Sequence, residues 1–373
     1  MADRVPPIDR RLGALFAAYF AAVGAIAVYL PLYLQERGLS AWQIGVVLAV
    51  AQATRLAGPN LWGWLADRSR HRLAILRWTA VATCVAFAGL FAPGGFAFVL
   101  AVLLVANLLM TAQMPLAEAI TSAYLRTERA APHAARLYGR LRACGSVGFI
   151  ALALLALAAF RLHDYRVAEP AHARVSVRRR LAEPRVRWFF ASVALMIFAH
   201  GALYTYLSLY LAQLGYSKAA IGALWVVGVL VEIAFFYTQG RFFRRYGAFA
   251  LMGAAFAFAA VRFALIAEFA DVWVLLLLAQ LMHAATFAVH HSAAVLTVQQ
   301  WFPGAAAARG QAMYISIGYG LGGTAGSLVA AALWSAVGPQ AAFWSSSIAA
   351  LAGWWAVRRA QALDLGAARV LAA

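Results

Sequence analysis

Apolar residues run through this chain in stretches of roughly 18–25, divided by short polar links, and runs of that length predict long helices rather than strands. They fall at about Leu12–Leu34, Ala41–Leu65, Leu73–Phe91, Phe96–Ala119 and Tyr138–Phe160. After a polar interval they resume at about Trp188–Leu211, Ala219–Gln239, Ala248–Glu268, Val272–Val298, Gln311–Ala336 and Ala341–Val357. Each matches the roughly 20 residues a helix needs to cross a bilayer's hydrocarbon core. The pattern reads as an all-α, polytopic membrane protein. Ser40 stands before the second run, where its hydroxyl can accept from the first free helix amides.

The links alternate in charge. Asp67-Arg68-Ser69-Arg70-His71-Arg72 is dense in cations, as is the link with Arg126, Arg129, Arg136 and Arg140. Later ones hold Arg241, Arg244 and Arg245, then Arg309, then Arg358 and Arg359. The opposite turns, at Pro93-Gly94-Gly95, Lys218, Asp271 and Pro339, are nearly free of cations. Cytoplasmic loops collect Lys and Arg, so the basic links and both termini are expected in the cytoplasm, with the protein in the inner (plasma) membrane. Composition agrees: 65% of the 373 residues are hydrophobic and 12% charged, where a soluble domain sits nearer a quarter. The net charge of +18 follows from this topology and needs no nucleic-acid partner. Cys84 and Cys144 lie inside apolar runs, so no disulfide framework is implied. Met1–Arg11 is polar, and the first run lacks a small-residue cleavage site, which reads as a retained helix.

An internal repeat divides the chain. Leu32-Tyr33-Leu34, Gly38, Ser40 and Ile44-Gly45 recur as Leu209-Tyr210-Leu211, Gly215, Ser217 and Ile221-Gly222. Gly63 and Arg68 recur at the same offset as Gly240 and Arg245. Paired repeats around a midplane site are how secondary transporters are built. The predicted organisation is an N-terminal bundle (1–160), a basic linker (161–187) carrying Arg174, Arg178, Arg179 and Arg180, and a C-terminal bundle (188–373).

The halves do not match in length. About 117 residues separate Gly240 from Val357, and the same count from Gly63 reaches residue 180. Yet the apolar run stops at Phe160, roughly 20 residues early, which is one helix. Five crossings precede the linker and six follow it, so the sixth of a two-by-six arrangement is expected to be missing.

Gly63-Trp64-Leu65-Ala66-Asp67-Arg68 resembles the loop 2–3 signature of the major facilitator superfamily, with Arg70 where that family usually has Gly. Over nearly its whole length the chain is similar to the lactose-permease-like branch and its 3-phenylpropionate-type permeases. Pro115-Leu116-Ala117-Glu118-Ala119 matches the helix 4 segment whose Glu binds sugar. Tyr138-Gly139-Arg140-Leu141-Arg142, with Gly145 and Gly148-Phe149, matches the helix 5 segment whose Arg pairs with that Glu. Ala260-Val261-Arg262 and Leu281-Met282-His283 match segments bearing a coupling Arg and His. Thr286 stands where lactose permease has its proton-carrying Glu, and the helix 8 acid is displaced by about a turn, to Glu232. Both departures weigh against lactose transport and a copied proton pathway. The resemblance implies a two-bundle fold, of which about 11 of 12 helices are seen. It also implies a conformational loop at Gly63, Asp67 and Arg68.

Charges at membrane depth are costly and default to function. Arg55, Glu118, Arg142, Glu232 and Arg262 qualify, and His200, His283, His290 and His291 join them. Glu118 with Arg142 is the best pair, either as a substrate site or as a static structural contact. Arg55 and Arg262 read as substrate and coupling groups or as permanent counter-ions of Glu232. Three arginines against two glutamates leave one cation over, which suits a carboxylate substrate because guanidinium offers a bidentate fork. His283 titrates near neutral pH unless perturbed, as a coupling group or a packing residue. Adjacent His290 and His291 point to different faces, a poor spacing for a metal. Tyr204, Tyr206 and Phe287 lie deep, as pocket walls or as core. Gly318, Gly322 and Gly326 share a face and predict close packing within the bundle.

These expectations converge on a secondary transporter. Its partners are a small organic solute such as an aromatic carboxylate, protons and the lipid bilayer. The substrate set is Glu118, Arg142, Arg55 and Tyr204, and the proton-coupling set is Glu232, Arg262 and His283. No metal, cofactor or nucleic acid is expected, and the chain is expected to act as a monomer. A sugar or nucleoside symporter is the second reading, and an inactive remnant or membrane receptor the third. No link carries a nucleophile–base or metal-ligand spacing, so an enzyme is not expected.

Overall fold

A computed structural model describes residues 10–69, 71–125, 137, 138, 141, 144, 177–303 and 306–372. Among these residues ten long helices follow one another. The first half holds α1 (Arg10–Glu36), α2 (Ala41–Ser69), α3 (Arg72–Phe91) and α4 (Phe96–Leu125). The second holds α5 (Pro184–Gln213), α6 (Lys218–Tyr246), α7 (Ala248–Phe269), α8 (Trp273–Trp301), α9 (Arg309–Ala336) and α10 (Pro339–Ala372). Eight of the ten are long and apolar enough to cross a membrane; α2 and α10 are long but more polar. The expected loss of a sixth helix falls on residues 126–176. Apart from Leu137, Tyr138, Leu141 and Cys144, which are helical, these lie outside the described residues.

The repeat appears as repeated local geometry. At Gly38 the backbone turns with φ +83°, and the Leu39 amide donates to the Leu34 carbonyl at 3.1 Å. At Gly215 it turns with φ +87°, and the Tyr216 amide donates to the Leu211 carbonyl at 3.0 Å. Positive φ at this position is the glycine-terminated helix end that closes α1 and α5 alike. Both following helices then carry a serine cap. Ser40 Oγ accepts from the Gln43 amide at 3.2 Å while Gln43 Oε1 accepts from the Ser40 amide at 2.9 Å, a capping box. Ser217 Oγ accepts from the Ala220 amide at 3.2 Å.

Several helices outrun their apolar stretches. α6 continues past Gln239 to Tyr246, placing Arg244 and Arg245 in its last turn, where cations meet the helix's negative end. α10 continues well beyond Val357 because its far end is tied back: Asp364 Oδ1 accepts from Arg185 Nη1 at 2.7 Å. Arg185 also pairs with Glu183 at 2.8 Å and lies 5.3 Å from the Trp301 ring centroid. One side chain therefore joins the starts or ends of α5, α8 and α10.

The second half is organised around α5, whose side chains are the most consistently buried. α9 packs directly on it. A methyl group on Gly322 would overlap the Ala194 carbonyl oxygen, and one on Gly326 would overlap that of Phe198. The glycine stripe thus packs helices within the bundle, as expected. In a bilayer lipid tails are as apolar as leucine, so backbone proximity of this kind replaces the hydrophobic drive between helices. The first half has its own smaller core, including Leu12, Phe16, Leu76, Leu116 and Leu141.

The halves meet through α1 against α5 and α2 against α9. Tyr206 of α5 donates to the Ala41 carbonyl at 2.9 Å and its hydroxyl fills the space over Gly45. Tyr29 of α1 does the same over Gly222 of α6. Glu36 and Lys218 form an exposed ion pair across the same end. Tyr206 is therefore core and interface, stacked at 4.5 Å on Trp334, rather than a pocket wall.

Two outcomes check this packing. Gly326→Val is expected to cost about 1–3 kcal/mol, the usual price of overpacking, read as a lower unfolding temperature in detergent. Tryptophan at both Gly45 and Gly222 is expected to wedge the Ser40 end open. A membrane-impermeant thiol reagent on that side would then label a cysteine placed at Leu48, which it does not reach when both glycines are present.

Candidate functional site

A cavity of about 250 Å³ lies between the halves and takes walls from both. From the first half come Tyr19 and Phe20 of α1, Gln52 and Arg55 of α2, Asn107 and Glu118 of α4, and Tyr138. From the second come Tyr204, Trp225, Glu232, His283, Phe287, His291, Tyr314 and Tyr319. Along the helices the lining stops at Leu48, Trp225 and Ser327 towards the Ser40 end. It continues to Glu118, Tyr138 and Gln311 towards the arginine-bearing end.

The second-half wall is aromatic. Tyr204 stacks on Trp225 with centroids 5.9 Å apart and meets Phe287 edge-on at 6.4 Å. His283, Phe287 and His291 form a ladder, nearly parallel rings 5.5 and 5.9 Å apart. That ladder stands on a π-helical segment, Ala284–Val289, and a second one, Ile315–Gly323, carries Tyr319. Such wide turns recur at functional sites because they re-aim side chains that a regular helix would point elsewhere. His291 Nδ1 lies 2.8 Å from the Tyr314 hydroxyl, while His290 packs on Phe256 at 5.3 Å, away from the cavity. The two neighbours do face different ways.

Among the described residues, Arg55, Glu118 and Glu232 bring charge to the cavity. Arg55 reaches the cavity with its guanidinium 5.2 Å from the Tyr319 ring centroid, and no carboxylate among the described residues pairs with it. Glu118 Oε1 accepts from the Tyr138 hydroxyl at 3.2 Å, also on the first-half wall. Arg142, expected as its partner, lies outside the described residues. Glu232 is 8% exposed and faces the cavity, with its Oε2 3.9 Å from His283 Nε2.

Arg262 is fully buried behind this wall and does not line the cavity. Its Nε donates to the Ala279 carbonyl at 2.8 Å and its Nη1 to Thr286 Oγ1 at 2.9 Å. The Thr286 hydroxyl in turn donates to the His283 carbonyl at 3.1 Å. Neutral oxygens of α8, not Glu232, therefore take its bonds, and Nη2 has no hydrogen-bond partner among the described residues. Gly63, Asp67 and Arg68 lie on the last turns of α2, away from the cavity; Arg68 sits 5.7 Å over Trp64 of its own helix. Asp67's side chain lies outside the description.

The residues that sequence reasoning did not single out include Trp225, Tyr319, Gln52 and Asn107, all on the cavity wall. Tyr138 appeared only as part of a motif. The four-residue spacing of His283, Phe287 and His291 was the one available signal for the ladder.

A helical membrane fold built on a repeat, with one polar and aromatic cavity at the seam of its halves, defines a transporter of the major facilitator type. A family profile described as "MFS_1 like family" matches residues 10–167 and 156–345, and the chain belongs to that family. It is 26% identical over 366 residues to the Escherichia coli (strain K12) protein named "Probable 3-phenylpropionic acid transporter", covering 90% of this chain and 93% of that one. It is 25% identical over 324 residues to the maltose permease of Geobacillus stearothermophilus, covering 81% and 82%. Among solved structures the fold is similar to a variant of nucleoside transporter NupG, with TM-score 0.72 and 17% identity over 94% of this chain and 99% of that one. It is also similar to the human organic anion transporter MFSD10, with TM-score 0.65 and 19% identity over 94% and 100%. These relatives are transporters rather than enzymes, and so is this chain.

Thr286 gives a direct check on the buried cation. Thr286→Val removes the oxygen that accepts from Arg262 Nη1 and leaves that donor unmatched. Stability is expected to fall by about 1–3 kcal/mol, read by thermal unfolding in detergent.

Proposed function

We propose that the chain moves a small organic anion, an aromatic carboxylate of the phenylpropionate kind, together with protons across the plasma membrane. The observation that carries this reading is Arg55, a cavity-facing guanidinium with no paired carboxylate among the described residues. A carboxylate docks on such a fork through two parallel hydrogen bonds. The ring of the same solute has an apolar berth on Tyr204, Trp225 and Phe287, where offset and edge contacts add to burial. The relative from Escherichia coli named for 3-phenylpropionic acid supports the choice.

Substrate contacts come from Arg55, Tyr204 and Glu118, with Arg142 proposed beside Glu118. Coupling to protons falls to the group formed by Glu232, His283 and Arg262. Transport follows from the two bundles, 1–160 and 188–373, rocking about the cavity, with Gly63, Asp67 and Arg68 at the joint between α2 and α3. By the charge rule the arginine-bearing end and both termini face the cytoplasm. The closed Tyr206 and Tyr29 contacts then lie outside, and the cavity extends inward. One chain contains the whole cavity, so the working unit is a monomer.

A sugar or nucleoside substrate is the second reading. It is favoured by the Glu118–Tyr138 contact and the amides of Gln52 and Asn107, which suit hydroxyl groups. Uptake by cells expressing the chain separates the two. Labelled 3-phenylpropionate is expected to accumulate and a protonophore to abolish that accumulation; uptake of maltose or a nucleoside instead would establish the second reading. Arg55→Ala is expected to weaken 3-phenylpropionate binding by roughly 10- to 150-fold, corresponding to about 1.5–3 kcal/mol for hydrogen bonds to a charged group. Arg55→Lys restores the charge without the fork and recovers only part of the loss.

A further inference from the structure

The second-half wall holds one fixed cation that the solute cannot touch. Arg262 has no exposed surface, does not line the cavity, and makes its bonds to a carbonyl and a hydroxyl. Both acceptors belong to the turns of α8 that also carry His283. Among the described acidic residues, the one against this wall is Glu232, which sits within 3.9 Å of His283 and opens onto the cavity. While Glu232 is ionised, the wall contains one positive and one negative charge. A proton placed there changes that balance wherever it lands, but the two landing places are not equal.

On His283 the proton would create a second cation beside Arg262. The imidazole is 5% exposed, and its Nδ1 has no hydrogen-bond partner among the described residues to share the charge. His200 offers no better site: it is fully buried, its ring lies 6.5 Å from that of His283, and its Nδ1 is taken by the Met196 carbonyl at 2.9 Å. Like charges at such distances in a poorly screened interior repel strongly. On Glu232 the proton instead removes a charge, from a group that meets the cavity and can exchange with its water.

We propose that Glu232 is the group that carries the coupled proton, while His283, His200 and Arg262 set its surroundings and remain in one charge state. This rests on the reading of the chain as a proton-coupled carrier of an aromatic carboxylate. Protonation of Glu232 leaves the charge of Arg262 unbalanced, and the substrate's carboxylate on Arg55 supplies the missing negative charge from across the cavity. Each arrival therefore favours the other. The proton adds to a carboxylate oxygen from water on one side and leaves from the same oxygen to water on the other, with no other bond made or broken.

The groups facing Glu232 on the elements packed against α6 are consistent with this role. α8 presents His283 and His291, and α7 presents Arg262. α5 presents Tyr204, with His200 behind it against the His283 ring, and α1 presents Tyr19. Across the cavity stand Arg55, Glu118, Tyr138 and the tyrosines of α9. Thr286, at the place where a related permease carries its own acid, is already occupied as the acceptor for Arg262.

Infrared titration of the protein in liposomes tests the assignment without assuming a substrate. Every carboxyl group that protonates as pH falls adds a carbonyl band; one of these bands is expected in the wild type and in His283→Gln and to be missing from Glu232→Gln, while the others, Glu118 included, remain. Adding 3-phenylpropionate at constant pH is expected to enlarge the band that Glu232→Gln lacks. In transport, Glu232→Gln should still exchange labelled for unlabelled 3-phenylpropionate but not concentrate it under a pH gradient. His283→Gln should still concentrate it, more slowly, and Glu232→Asp should regain both band and accumulation. Because linkage is reciprocal, wild-type binding of 3-phenylpropionate should tighten roughly 5- to 150-fold from high to low pH, and that of Glu232→Gln should not change. Persistence of every band in Glu232→Gln, or accumulation that survives Glu232→Gln but is lost in His283→Gln, overturns the proposal. If the band behaves as expected and the wild type does not bind 3-phenylpropionate, the carrier assignment stands and the substrate reading falls.

Discussion

At Gly322 and Gly326 the backbone of α9 rests on that of α5 with no side chain between them. The placement of nearly everything else follows from that approach. α5 carries Tyr204 into the cavity and Tyr206 into the seam with α2, while α9 carries Tyr319 under Arg55 and meets the length of α2. In lipid, packing of this closeness is a main source of helix cohesion, and it is lost if a single Cβ is added. The position of the cavity, the pairing of the halves and the aim of Arg55 are thus set by small residues that touch no solute.

The second constraint is electrostatic. A guanidinium in the membrane interior has to find acceptors, and Arg262 finds them on α8 at Ala279 and Thr286. Those bonds lock α7 to α8 and bring a positive charge to the back of the wall that faces the solute. The front of that wall is aromatic, with Glu232 the acid set into it. The cavity therefore has an anion-attracting group at Arg55 and an acid at Glu118 on its first-half wall, and behind the other wall a buried charge that acts at a distance.

How much of this was legible depended on the range of the interaction involved. Local signals read through well. The shared offset of Gly38 with Gly215 and Ser40 with Ser217 became two matching helix ends and caps, because such geometry involves only a few neighbouring residues. Rare charges in apolar runs pointed to the cavity, and Arg55, Glu118, Glu232 and His283 all reach it. Partner choice was not legible. Arg262 could be read as a counter-ion of Glu232, and only the packing of α7 on α8 assigns it to Thr286. Trp225 and Tyr319 looked like any other membrane aromatics, since nothing in one dimension separates a ring facing lipid from one facing a cavity. The π-helical turns also escaped notice, because apolar periodicity averages over a single wide turn. Arg142 and the count of helices before the linker lie in the stretch that the structure does not describe.

The contacts of Tyr206 over Gly45 and Tyr29 over Gly222 are copies of one another, displaced by the repeat. A joint made twice from the same parts behaves differently from a joint made once. If both copies let go together, the halves separate evenly; if one holds, it becomes a pivot and the other side swings. The two tyrosines are held unequally: Tyr206 is anchored to the Ala41 carbonyl and stacked on Trp334, whereas Tyr29 is 44% exposed. The repeat supplies a symmetrical clasp, and the residues around it leave its two copies unequally held.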